Sequence, residues 1–199
     1  MKVYKRVILA AALVLTALTL TVTAMQQEQA AVARKLIRLH VVANSDTDYD
    51  QSVKLQVRDA VLAQAEKVLQ DTENPASALQ AALPRLEAAA VQRLRQLGCD
   101  HPVSVTLRQE RFPRRDYDTF ALPAGVYPSL RVEIGEGEGH NWWCVVFPSI
   151  CLRAVSELET AAVSAGFTEG EVRMITHPQD YVFRFKILEL LQQLQSKLT

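Results

Sequence analysis

Three aspartates at alternate positions, Asp46, Asp48 and Asp50, match the first three ligand positions of an EF-hand calcium loop. The rest of such a loop is missing. Gln51 stands where the turn glycine belongs, and Val57 where the bidentate glutamate belongs. A helix N-terminus, which favours negative charge, accounts for all three carboxylates. Gly135, Gly137 and Gly139 suggest a phosphate-binding loop, but Glu136 and Glu138 interleave them and a strand pattern follows. A turn needing positive φ explains these glycines better. His40, His101, His140 and His177 share no metal-ligand spacing, so no metal or other cofactor is expected. His40 has apolar neighbours and reads as a hydrogen-bonded core residue.

Cys144 and Cys151 flank Pro148. They read either as a disulfide, if the chain is exported, or with Cys144 as a small core hydrophobe. The loop is short, so a bridge would add about 2–3 kcal/mol. A nucleophilic Cys144 needs a base, and His140 lies too far along an extended strand to serve. Trp142 and Trp143 must project to opposite faces of a strand. One fills the core; the other needs a helix or a partner to cover it. Phe112, Tyr117 and Tyr127 could extend such a patch. No catalytic constellation emerges, which favours binding or signalling over an enzyme.

The chain that must position these residues has 199 residues, 49% hydrophobic and 22% charged, enough for one domain with a real core. It carries 22 basic and 22 acidic residues. A net charge of +0 lacks the positive field of a nucleic-acid binder. Three cysteines are too few for a disulfide scaffold or a four-cysteine zinc site.

Lys2, Lys5 and Arg6 precede an uncharged run from Val7 to Ala24. A basic start, an apolar middle and the small-residue end Val22-Thr23-Ala24 describe a secretory signal cleaved after Ala24. The run also reaches the minimum for spanning a bilayer, so a retained anchor is the alternative. No second run is long enough, so contact with the membrane is expected only through residues 7–24. Residues 1–24 are thus a signal or anchor, 25–35 a spacer or helix start, and 36–199 one exported domain.

Leu36–Val42 reads as a buried strand. A polar turn follows, and Asp48 with Gln51 suggests a capping box opening a helix to about Leu69. Asn74-Pro75 opens a second helix, which Pro84 should kink or restart and Gly98 should end. Val103–Arg108 alternates as a half-buried strand, and Phe120–Gly125 reads as an edge piece or loop. Leu130–Ile134 and Asn141–Phe147 suggest a β-hairpin with Gly135–Gly139 at its tip. Ser156–Ala165 is weakly helical, and a terminal helix is expected from about Asp180. The expected class is α+β: a mainly antiparallel sheet with helices packed on one face.

Three segments go beyond general patterning. They are Ile37–Asp46 with Lys54–Val61, then Leu122-Pro-Ala-Gly-Val-Tyr127, then Leu130–Pro148 with its run Gly-Glu-Gly-Glu-Gly-His-Asn-Trp-Trp-Cys. Together they resemble the stage II sporulation protein R family of endospore-forming bacteria. Pro148-Ser149 departs from the two prolines the family often has there. The resemblance implies export from the forespore into the space between forespore and mother cell. It implies activation there of a membrane-embedded aspartic protease, the sigma-E factor processing peptidase. It brings no catalytic residues and no cofactor. Asn44, Ser45, Asp46, Glu136, Glu138, His140 and Asn141 are the surface candidates for partner contact, with Trp142 or Trp143 as anchor. The rival readings are a wall-acting enzyme, in which Asp46, Glu136 and His40 converge, and a module that binds wall fragments.

Overall fold

The structure is a computed structural model and describes residues 2–70, 72–117, 120–148, 155–181 and 186. Helix α1 spans Lys2–Lys35 and leads into strand β1, Ile37–Val42. Helices α2 (Asp48–Leu69) and α3 (Pro75–Gln96) follow. Then come β2 (Val103–Phe112), the two-residue β3 (Arg115–Asp116) and β4 (Ala121–Leu122), β5 (Gly125–Ile134) and β6 (Asn141–Phe147). Helices α4 (Val155–Ser164) and α5 (Glu169–Thr176) and a short 3₁₀ turn, Pro178–Tyr181, complete the described elements.

The main sheet has the order β2-β5-β1-β6. β1 is parallel to β5, and the β2–β5 and β1–β6 pairs are antiparallel. The sheet is therefore mixed. The expected β5–β6 hairpin is a misreading, because β1 lies between those strands. β1 pairs Leu39 with Leu130 of β5 on one side and with Cys144 of β6 on the other. A strand buried on both faces and both edges reads as a continuous apolar run, as Leu36–Val42 does.

Strand alternation divides the interior into two clusters. Leu39 and Val41 of β1, with Leu130 and Val132 of β5, face Val57 and Val61 of α2 and Leu86 and Ala90 of α3. On the other side Phe112, Tyr127 and Val145 meet Leu158 of α4, Ile175 of α5, Val32 and Ala33 at the end of α1, and Leu36 just after it. Helices thus cover part of both faces, not one face only. The segment expected as a spacer or helix start, 25–35, is helical and continues α1 into the second cluster. Apolar side chains of leucine size each contribute about 1.5–3 kcal/mol when fully buried, so this short stretch of helix is part of the fold.

Two local expectations change. The N-cap of α2 is Thr47 and not Asp48; its side chain accepts from the Asp50 amide. Helix α3 runs as one element through Pro84, which is exposed. Water can satisfy the carbonyl that a proline leaves unpaired there, while Leu79, Leu86 and Leu94 hold the inner face. Asn74 caps α3, and Gly98, at φ +66°, follows its end. The expected terminal helix and Cys151 lie outside the described residues.

Candidate functional site

Because β1 separates β5 from β6, the chain leaving β5 must pass over the end of β1. Residues 135–140 make that passage. Ala43 and Asn44 offer their carbonyls to the amides of Gly139 (3.0 Å) and Glu138 (3.2 Å). The Asn44 side chain accepts the Glu136 amide at 3.0 Å. Two glycines are required by space. A Cβ on Gly139 would lie 2.3 Å from the Ser45 carbonyl oxygen. One on Gly135, which has φ +60°, would lie 2.1 Å from Asn44 Oδ1.

Helix α2 supports this crossing from below. The Asp50 carboxylate accepts from Asn44 Nδ2 (2.8 Å) and Ser45 Oγ (2.6 Å). These bonds hold its pKa below the ordinary aspartate value despite burial, and His101 adds to the effect. Lys54 is 4% exposed and donates to the His140 carbonyl at 2.9 Å and to Gln51 Oε1. Burial pushes its pKa down; Asp46 opposes that shift and Arg58 reinforces it. Gln51 donates in turn to the Ser45 carbonyl at 2.9 Å. Asp50 is therefore a buried strut, and the calcium-like triplet is divided between buried and exposed positions.

Above this frame lie the surface groups. Asp46 Oδ1 accepts the His140 amide at 2.6 Å and lies 2.5 Å from His140 Nδ1. The side chains of Asp46 and His140 are 55% and 77% exposed. Glu136 and Glu138 are exposed on the same crossing. Trp142, on the α2 side of the sheet, is 39% exposed with the Arg58 guanidinium 4.3 Å from its ring centre. The arrangement is three carboxylates and an imidazole beside a half-open indole, all on a braced backbone. It suits recognition of a partner bearing cationic and apolar groups.

The sequence candidates separate accordingly. Asn44 and Ser45 turn inward and build the frame. Asp46, Glu136, Glu138, His140 and Trp142 present themselves outward. Asn141 is exposed, and its Oδ1 lies 2.7 Å from His40 Nε2. Trp143 projects to the opposite face, against His40, Phe112 and the Arg115 guanidinium at 3.8 Å. Cys144 is buried and disulfide-bonded, and Cys99 is buried and free. Asp46, Glu136 and His40 do not converge: Asp46 contacts His140, whereas His40 Nδ1 lies 3.0 Å from Glu110 within the sheet face. Among the described residues no group of three or more His, Cys, Asp or Glu side chains is placed to hold a metal.

Sequence reasoning missed Lys54 and read Gln51 only as half of a capping box. The signal was there: Lys54 falls on the inward helical spacing of Asp50, Val57 and Val61. It also missed the second polar group. Arg38 is fully buried, 4.1 Å from the Phe112 ring centre, and donates to the Tyr117 hydroxyl at 2.8 Å. Among the described residues its Nε and Nη1 have no hydrogen-bond partner, and burial lowers its pKa. Burial pushes the Tyr127 hydroxyl well up; it donates to the Pro123 carbonyl at 2.7 Å.

The structure is a small α+β domain joined to an apolar helix, with a braced polar crossing as its outward feature. The chain belongs to the stage II sporulation protein R family, whose pattern matches residues 33–157. It is 31% identical over 183 residues to the Stage II sporulation protein R of Bacillus subtilis (strain 168), covering 87% of this chain and 82% of that protein. No solved structure matches. The matched region contains the whole four-stranded sheet and the crossing.

Proposed function

We propose that this protein is an exported intercellular sporulation signal. It binds a membrane-embedded aspartic protease, the sigma-E factor processing peptidase, in the space between forespore and mother cell. Binding switches that protease on, and the sigma-E precursor is cleaved. The protein acts as a ligand and not as a catalyst. Family membership supports the sporulation role. The apolar helix α1, mean hydropathy 2.3 and unburied over its apolar window, suits a leader or an anchor.

The single observation that carries the ligand reading is the outward group Asp46, Glu136, Glu138, His140 and Trp142 on a frame fixed by Asn44, Asp50 and Lys54. A pre-organised surface loses little freedom on binding, so more of its contact energy appears as affinity. Activation then follows by population shift, the ligand binding the active arrangement of the protease better than the inactive one. Moving that equilibrium from 1:99 to 99:1 takes about 5.5 kcal/mol, within reach of one indole anchor and several desolvated ion pairs.

The test is reconstitution in a non-sporulating host that makes the protease and the sigma-E precursor. Cleavage should appear with the exported chain and not with a chain lacking residues 1–24. Absence of cleavage despite export and folding would remove direct activation from consideration.

A further inference from the structure

Strand β2 is an edge of the main sheet, and its outer side has a free stretch. The Val105 amide turns away from β5 and donates to Glu87 Oε2 of α3 at 3.2 Å. The Pro102 carbonyl faces the other way and accepts the Gly135 amide at 2.8 Å. In an antiparallel ladder these directions alternate, so the backbone groups of Leu107, Gln109 and Arg111 also point outward. Among the described residues nothing bonds to them. Glu87 blocks the strand on one side of this stretch, and the strand ends at Phe112 on the other. The open segment is centred on Gln109.

We propose that the outer edge of β2 is a self-pairing surface. Two copies of this chain join antiparallel about a two-fold axis at Gln109, making one continuous sheet. That register pairs Gln109 with the partner's Gln109 and Leu107 with the partner's Arg111, every outward amide meeting a carbonyl. It also sets Arg108 opposite the partner's Glu110. Arg108 already lies 3.2 Å from Glu110 of its own chain, and its side chain is 51% exposed. The two copies thus close a ring of alternating charge. A register centred on Leu107 would bring the blocked Val105 amide into the ladder and oppose Arg108 to threonine. A second copy therefore fits this edge better than an arbitrary strand, because the open stretch and its charges are self-complementary. The inference stands independently of the receptor assignment.

The full-length chain in detergent micelles should sediment as a protein dimer. Gln109→Pro removes one outward donor without touching the β2–β5 ladder, and should give a monomer with an unchanged circular dichroism spectrum. Gln109→Cys should form a disulfide-linked dimer under mild oxidation, since residues at such a hydrogen-bonded pair lie about 5.5 Å apart between Cα atoms. Thr106→Cys should not, because two Thr106 residues would lie about 20 Å apart along the strands. A monomer at all concentrations, a dimer that survives Gln109→Pro, or equal cross-linking from position 106 would overturn the proposal.

Discussion

The backbone of Gly139 passes so close to Ser45 that a single added methyl would stand 2.3 Å from the Ser45 carbonyl oxygen. Gly139→Ala must therefore push the crossing off the end of β1. We expect a loss of about 1–3 kcal/mol, as for overpacking elsewhere, read as a lower midpoint in denaturant at unchanged slope. Gly170→Ala, where nothing lies within 4 Å, is the control and should change stability little.

Trp142 and its Arg58 cover should separate binding from folding. Trp142→Ala should reduce cleavage of the sigma-E precursor at least tenfold while leaving the thermal midpoint within a few degrees, because the ring is partly open to solvent. Asp46→Ala should act in the same direction more weakly. Loss of folding in either variant, seen by circular dichroism, would make these residues structural.

Glu110 gives the acid limb of stability. Burial opposes its charged form, but hydrogen bonds from His40 and from Arg108 on its own strand, with a nearby Ser129 hydroxyl, outweigh that and set its pKa at about 2. The folded carboxylate thus binds its proton less readily than the unfolded one, whose pKa is about 4.3. Its contribution is complete above that value and is lost as pH falls toward 2, amounting to at most about 3 kcal/mol. Denaturation between pH 6 and 3 should show this decline, and Glu110→Gln should flatten it.

Among the described residues nothing accepts a hydrogen bond from the buried Nε and Nη1 nitrogens of Arg38. Arg38→Met keeps an unbranched chain between Phe112 and Tyr127 and removes the buried charge. Its expected effect is a thermal midpoint unchanged or raised, because unmade hydrogen bonds cost about 1–3 kcal/mol each. A fall of ten degrees would show that the ring contacts outweigh that cost.

Much of this was legible in the sequence. The Asn74 cap, the run of β1 and the alternation that separates Trp142 from Trp143 each follow from local patterning. Strand partnership was not. Leu130–Ile134 and Asn141–Phe147 carry a glycine-rich link suited to a hairpin, and nothing local announces that β1 inserts between them. The same glycines have another cause: two of them let backbone pass against Asn44 and Ser45. Asp46 and His140 both read as surface residues in the sequence, and their direct contact depends on that long-range insertion.

The end of α1 belongs to the core, with Val32 and, just past the helix, Leu36 fully buried. A cut after Ala24 would remove the apolar turns and leave these residues in place. Trimmed and untrimmed chains would then share one fold and one recognition surface, and would differ in the dimensionality of their search. On the proposed function, the trimmed domain would diffuse through a volume toward its receptor. The untrimmed one, were α1 to act as an anchor, would sweep a sheet of membrane at the end of one continuous helix. Processing at that point would set the range of the signal and leave its message unaltered.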